Sequence, residues 1–326
     1  MSSSLEVPAG PRRRLSGTSV RGALATLGGL AVMLITLMVF AALRPDAFPT
    51  WANVQGILDS VTVLLILGAG LTIVLAIGEF DLSFAATTGL SGAVSVLAVV
   101  QWGWPVWLGV AAAIGVGILV GLGNGASVAY GRAPAFIITL AIGSIALGIE
   151  RFISNDKVIY GLPESLISLG QGKILGFSTG LWVAVIVTVG VFVLMRFTTY
   201  GRRVQAIGSN RRAADLAGLA VARSRMMAFV IMGGIAGLGG VILMAKASEY
   251  FPNSAAGLLL SPYAAAFLGA AVIGRGRFGA VPTFVGVVYI GVLQNGITML
   301  GQPGWVVLLV QGAVLAAAVL LARQFR

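Results

Sequence analysis

The sequence predicts an all-α integral membrane protein of about ten transmembrane helices, arranged as an inverted five-helix repeat with cytoplasmic N- and C-termini. Three observations predict it. First, 58% of the 326 residues are hydrophobic, only 10% are charged, and the mean hydropathy is +1.00. Soluble domains carry about 25% charged residues, so this chain has too little polar surface to cover a globule in water. Second, apolar runs of about 20 residues recur, each long enough at 1.5 Å per residue to cross a hydrocarbon core of about 30 Å. Third, the basic residues fall on alternate connections. With the N-terminus inside, 16 of the 21 Lys and Arg lie on the inner side and 5 on the outer, the asymmetry that sets membrane orientation. Removing one span would reverse every later loop and erase it. The net charge of +11 therefore reports topology; membrane lipid is the expected surrounding and no nucleic acid is expected as a partner.

The first span is expected at residues 22–43. Arg12, Arg13 and Arg14 stand ahead of it as in a signal peptide, but it exceeds the usual apolar core of about 7–15 residues and is followed by Arg44-Pro45-Asp46 rather than small residues. It reads as a retained span. Residues 1–21 are small, polar and basic without an apolar period, and are expected to form a disordered cytoplasmic N-terminus; 22–326 form one transmembrane domain. The next spans follow at 57–77, 82–100, 105–128, 134–152, 181–197, 226–247, 258–273, 280–299 and 304–322. The eighth is short and calls for a tilt, a break or a partial re-entry. Residues 153–180 make the longest outer connection and 198–225 the longest inner one. Trp102, Trp104 and Trp107 cluster at the outer boundary, where indole rings prefer to sit, and Asp59, near the outer end of the second span, is expected to face water.

The repeat shows in paired stretches. The third span opens LSFAATTGLSGA and the eighth LSPYAAAFLGAA; the fourth ends GLGNG and the ninth GVLQNG. Partners lie five spans apart and so run in opposite directions, as in inverted-topology transporters. Their small residues allow close helix packing.

Six arginines fall in residues 200–225, YGRRVQAIGSNRRAADLAGLAVARSR. Ser209 or Asn210 can cap a helix, 211–217 is a strong helix-forming run, and Gly218 stops it. A helix of about two turns is unstable alone, so something has to pack on it. Leu216 and Leu219 offer apolar contacts, and Asp215 is spaced to pair with Arg211 on one face. A plain basic loop against anionic lipid accounts for the charge but not for the small-residue pattern AIGSN…AADLAGL.

The same stretch carries a family resemblance. GRRVQAIGSNRRAADLAGLAV (201–221) looks like the cytoplasmic loop of the ribose-type sugar permeases of ATP-binding-cassette (ABC) importers. IGEFDLSFAATTGLSGA (77–93) resembles that family's Gly-x-x-Asp-Leu-Ser turn, GRAPAFIITLAIGSIALGI (131–149) resembles its Pro-x-Phe-Ile-x-Thr-Leu run, and 267–301 is similar too. The motifs keep their order over about residues 50–322. The resemblance implies a permease subunit of the bacterial plasma membrane, with a fold similar to the cobalamin importer permease. It implies a second permease copy, identical or related, a cytoplasmic ABC ATPase, and an extracytoplasmic binding protein that delivers a monosaccharide or related polyol. It makes 198–225 the ATPase-coupling loop, with Arg202, Gly208, Asn210, Arg211, Ala213, Ala214 and Gly218 as its residues. Gly78, Asp81 and Leu82 mark the signature turn. Substituting Asp for Arg211 and Ala214 together is expected to uncouple uptake from ATP hydrolysis. The chain departs from the pattern at GEFDLS, where ribose permeases more often have a Gly and an aliphatic residue before the Asp, and at GRGRFG, a shortened loop between the eighth and ninth spans.

Asp81, with Ser83, is read as the cap of the third span; Glu79 is solvated if the turn is interfacial and needs partners if it is buried. Ser83, Asn124, Gln294 and Asn295 either line a polar path for a hydroxyl-rich solute or join helices. The chain has no His and no Cys, which removes the commonest metal ligands and general bases, and no G-x-x-x-x-G-K-[ST] run to cradle ATP. No catalytic residue, cofactor or metal is expected; energy must come from a partner. The alternative is an ion-coupled secondary transporter, which needs functional intramembrane charges of which this chain offers few. A passive channel would need no coupling helix.

Overall fold

The computed structural model describes residues 17–323, with side chains from 27 to 320. Residues 1–16 of the expected N-terminal segment lie outside the described residues, and 17–21 belong to the first helix, α1 (Gly17–Leu43). The second expected span is two helices, α2 (Trp51–Ser60) and α3 (Thr62–Ala76), bent by 49° at Val61. At the break the Ser60 hydroxyl donates to the Ile57 carbonyl at 2.7 Å, a back-bond that competes with the helix ladder. α4 (Phe84–Val96) ends in a π-turn at Leu97–Gln101, followed by α5 (Val106–Ala129) and α6 (Ala135–Ser154). Prolines 105 and 134 stand directly before α5 and α6, where a missing N–H costs nothing. The outer connection folds into α7 (Glu164–Gln171) and a small antiparallel hairpin, β1 (Lys173–Ile174) with β2 (Phe177–Ser178), in the register Lys173↔Ser178. Then come α8 (Thr179–Phe197), α9 (Thr199–Ser209), α10 (Arg211–Leu216), α11 (Val221–Ala247), a 3-10 turn at Ala256–Leu258, α12 (Leu260–Val272), α13 (Ala280–Met299) and α14 (Gly304–Arg323).

Among the described residues, six helices are by themselves long and apolar enough to cross a membrane, and the bent α2–α3 pair makes a seventh. α1 and α14 are apolar over their described side chains, 27–43 and 304–320, and the 3-10 turn with α12 forms a shorter apolar stretch. Each expected span thus has a helix, and the eighth is short and preceded by a break.

α3 forms the centre. Every residue from 62 to 75 is buried, which a helix achieves only when it is apolar all round and enclosed by others; α8, α11, α12 and α13 pack on it. α5 and α11 cross backbone to backbone. At Gly117 and Gly233 each backbone lies where the other's Cβ would be, so a side chain at either would overlap the opposing carbonyl group. Gly121 and Gly237, one turn on, meet Phe229 and Ala113 backbones in the same way. Close backbone approach of this kind is how membrane helices associate without a hydrophobic driving force.

Neighbour relations recur along the chain. α4 packs on α5 and α6, and α12 on α13 and α14; α11 touches α4 and α5, and α3 touches α12 and α13. α3 and α11 also end alike, each in a left-handed residue (Gly78, φ +86°; Ser248, φ +59°) followed by a glutamate and an aromatic residue.

Candidate functional site

The 198–220 connection folds as two helices where one was expected. Thr198 caps α9, its Oγ1 accepting from the Gly201 N–H at 3.1 Å. Gly201, Val204 and Ile207 turn inward, while Arg202, Arg203, Ala206 and Ser209 are exposed. Gly208 backs onto the Ala76 carbonyl at the end of α3, where any Cβ would overlap it. For α10, Asn210 is the cap: its Oδ1 accepts from the Ala213 N–H at 3.0 Å. Gly218, at φ +77°, ends it in the left-handed conformation that suits glycine.

Arg212, Ala213, Asp215 and Leu216 of α10 face outward, Leu216 with 84% of its surface exposed, whereas Ala214 is 5% exposed and packs into the core. This alters one expectation. An Asp at Ala214 would disturb the loop's own packing, so Leu216 is the position that reports on docking. The expected Arg211–Asp215 pair is also replaced: Arg211 Nη2 donates to Glu79 Oε1 at 2.8 Å.

Glu79 lies in the turn between α3 and α4, its side chain 9% exposed. The same oxygen accepts from Arg225 Nε of α11 at 2.7 Å, so the buried acid has the partners its position requires. Asp81 holds the start of α4, its Oδ1 accepting from the Ser83 N–H at 2.8 Å and the Ser83 hydroxyl at 2.6 Å. Burial pushes the Asp81 carboxyl above the usual carboxylate range, and the two Ser83 bonds oppose that shift. Tyr263 of α12 clamps the Asp81 backbone, donating to its carbonyl at 2.6 Å and accepting from its N–H at 3.1 Å. The Leu82 N–H donates to Thr139 Oγ1 of α6 at 3.0 Å, and Asn124 Nδ2 of α5 donates to Ser83 Oγ at 2.6 Å. Residues 79–83 thus bond to α5, α6, α10, α11 and α12. Tyr263→Phe should lower the thermal midpoint by several degrees, because it leaves a buried N–H and a carbonyl unpaired at about 1–3 kcal/mol; thermal unfolding in detergent checks this.

Residues 53–319 match the family described as the branched-chain amino acid transport system permease component. The chain belongs to this permease family. Among its relatives, the L-arabinose ABC transporter permease protein AraH of Azospirillum brasilense is 34% identical over 89% of this chain and 86% of its own length. The ribose import permease protein RbsC of Escherichia coli K12 is 30% identical over 89% of this chain and 91% of its own, and the Bacillus subtilis RbsC is 31% identical over 93% and 94%. No solved structure matches. The resemblance to sugar permeases read from the motifs therefore holds over nearly the whole permease.

The four amides and hydroxyls considered for a polar path fall in two places. Ser83 and Asn124 bond to each other and are each 1% exposed, so in this conformation they join helices. Gln294 lines a cavity of about 460 Å³ with Lys246, Ser261 and Gln311, and Asn295 adjoins Gln294 on α13. Asp59 is half exposed, as expected, and pairs with Lys246 Nζ at 2.6 Å. Trp102 and Trp104 are exposed and meet edge-on at 5.5 Å. Sequence reasoning passed over Glu150 of α6, which is 1% exposed and accepts from Tyr250 Oη at 3.2 Å and the Asn253 N–H at 2.9 Å. It gave no role to Tyr263, a lone hydroxyl on an apolar helix, or to Thr139, which entered only as the threonine of the Pro-x-Phe-Ile-x-Thr-Leu run. Arg225 did have a signal, an unmatched cation on the same predicted membrane side as Glu79.

Proposed function

We propose that the chain is the membrane-spanning permease subunit of an ABC importer for a monosaccharide or related polyol in the bacterial plasma membrane. The relatives named for L-arabinose and ribose make an aldopentose the first solute to test. The observation that carries the reading is α10: a capped, glycine-terminated helix with Leu216 and Arg212 turned outward, held to the membrane helices from behind. An exposed leucine at the tip of a basic helix on the inner side suits a groove of a cytoplasmic ATPase. The coupling-loop residues fall into two roles. Asn210, Gly208 and Ala214 build and seat the loop, while Arg202, Arg212 and Leu216 face the partner.

In this reading the chain crosses ten times with both termini cytoplasmic, α2–α3 counting as one crossing and α12 as a short one. The charge asymmetry supports it. The recurring neighbour relations and the matched ends of α3 and α11 support the inverted repeat and a likeness to the cobalamin importer permease. A second permease copy completes the pathway. The binding protein docks on the opposite face, formed by α7, the β1–β2 hairpin and residues 248–261. ATP-driven closure of the ATPases moves α10 and α9, and Gly208 against Ala76 passes the movement to α3.

The test is capture of the partner ATPase by the detergent-solubilised chain. Wild type is expected to retain it and a chain with 209–219 replaced by a Gly/Ser linker to lose it. A wild type that captures no ATPase, and that alone moves solute down an ion gradient, would make the protein a secondary transporter.

A further inference from the structure

The docking loop has two kinds of attachment to the membrane helices. Gly208 and Ala214 give close packing, and packing permits sliding. The other attachment is polar and directional. Glu79 Oε1 receives Arg211 Nη2 from α10 at 2.8 Å and Arg225 Nε from α11 at 2.7 Å. The carboxylate side chain is 9% exposed, Arg225 11% and Arg211 50%, so the ion pair runs from the solvent edge of α10 into the protein. Charge-assisted bonds of this geometry are about twice as strong as neutral ones, and breaking a buried pair leaves an uncompensated charge. Rearrangement with the pair intact is therefore favoured over separation. Two to four residues on, the same turn holds α12 through Tyr263, α6 through Thr139 and α5 through Asn124. The other charged residues of α10, Arg212 and Asp215, are exposed, and no ion pair joins Asp215 to Arg211 among the described residues.

We infer that Glu79 is a positioning residue for energy coupling: its two-arginine ion pair transmits displacement of α10 to the α3–α4 turn and to α11. This rests on the proposed function and adds a residue outside the docking surface, one whose loss separates ATP hydrolysis from transport without detaching the ATPase. It also accounts for a glutamate in GEFDLS, since an acid there meets both arginines with charge-assisted bonds.

The experiment uses the full chain reconstituted in vesicles with its ATPase and binding protein, with labelled L-arabinose or ribose as the probe, whichever the wild type takes up. Solute moved per ATP hydrolysed, ATPase capture and thermal midpoint are measured for wild type, Glu79→Gln and the double variant Glu79→Gln/Arg225→Met. The double variant removes the buried cation that would otherwise be stranded, so it keeps the test open if the single variant fails to fold. The expected result is solute per ATP lowered at least about fivefold, with capture and the double variant's midpoint close to wild type. An unchanged ratio in a folded variant overturns the inference. So does loss of capture in step with transport, because Glu79 would then only seat the docking surface. Failure of the functional reading looks different: the wild type itself captures no ATPase and shows no ATP-driven uptake.

Discussion

Gly117→Leu should prevent the chain from accumulating as a monodisperse species, while Gly115→Leu on the same helix should not. At Gly117 the opposing backbone of α11 occupies the space a Cβ needs; at Gly115 nothing lies within 4 Å. Both substitutions add the same apolar side chain, and both raise intrinsic helix propensity by up to about 1 kcal/mol. Only position differs. A leucine at 117 has no rotamer that avoids the Gly233 carbonyl, so α5 and α11 must part along the whole contact that includes Gly121 and Gly237. The cost is expected to exceed about 3 kcal/mol, beyond ordinary overpacking because the obstacle is backbone. Size-exclusion profiles of detergent extracts, compared at equal expression, check it. A sharp Gly117→Leu peak at wild-type yield would mean that this crossing is looser than described.

Leu216→Asp should weaken capture of the partner ATPase at least about tenfold, or ~1.4 kcal/mol, and leave the free chain's thermal midpoint unchanged. With 84% of its surface exposed, Leu216 contributes little to the chain's own stability, and surface substitutions of this kind stay within about 0.5 kcal/mol. Inside a docked groove the same aspartate would be a buried, unpaired charge. Ala214→Asp is the contrast: at 5% exposed it should lower the midpoint before any question of docking arises. Capture is read by pull-down with purified ATPase at fixed salt, since α9 and α10 are basic and screening alone shifts the result. Undiminished capture by Leu216→Asp would remove α10 as the docking element.

The two variants mark what a linear reading can and cannot reach. Leu216 was visible as an apolar residue of a short helix that needs a partner, and Asn210 and Gly218 were legible too, because caps and stops act over three or four residues. Gly117 was visible only as one of 46 glycines. α9 was hidden because its buried set, Gly201, Val204 and Ile207, is too sparse to read as an apolar face until α3 and α8 are beside it.

By itself the sequence determined the membrane class, the place of each apolar helix, the capped basic helix after Asn210 and the family likeness. These are sums over neighbouring residues: hydropathy over about 20 positions, charge over a loop, motif over a turn. The tertiary structure alone decided the break at Val61, the partners of the signature turn, and the separation of Ser83 and Asn124 from Gln294 and Asn295. The physical reason is that a buried polar group takes whichever complementary group the packing brings to it. For Glu79 those groups lie 132 and 146 residues away, and only the meeting of α3, α10 and α11 at one end of the bundle selects them.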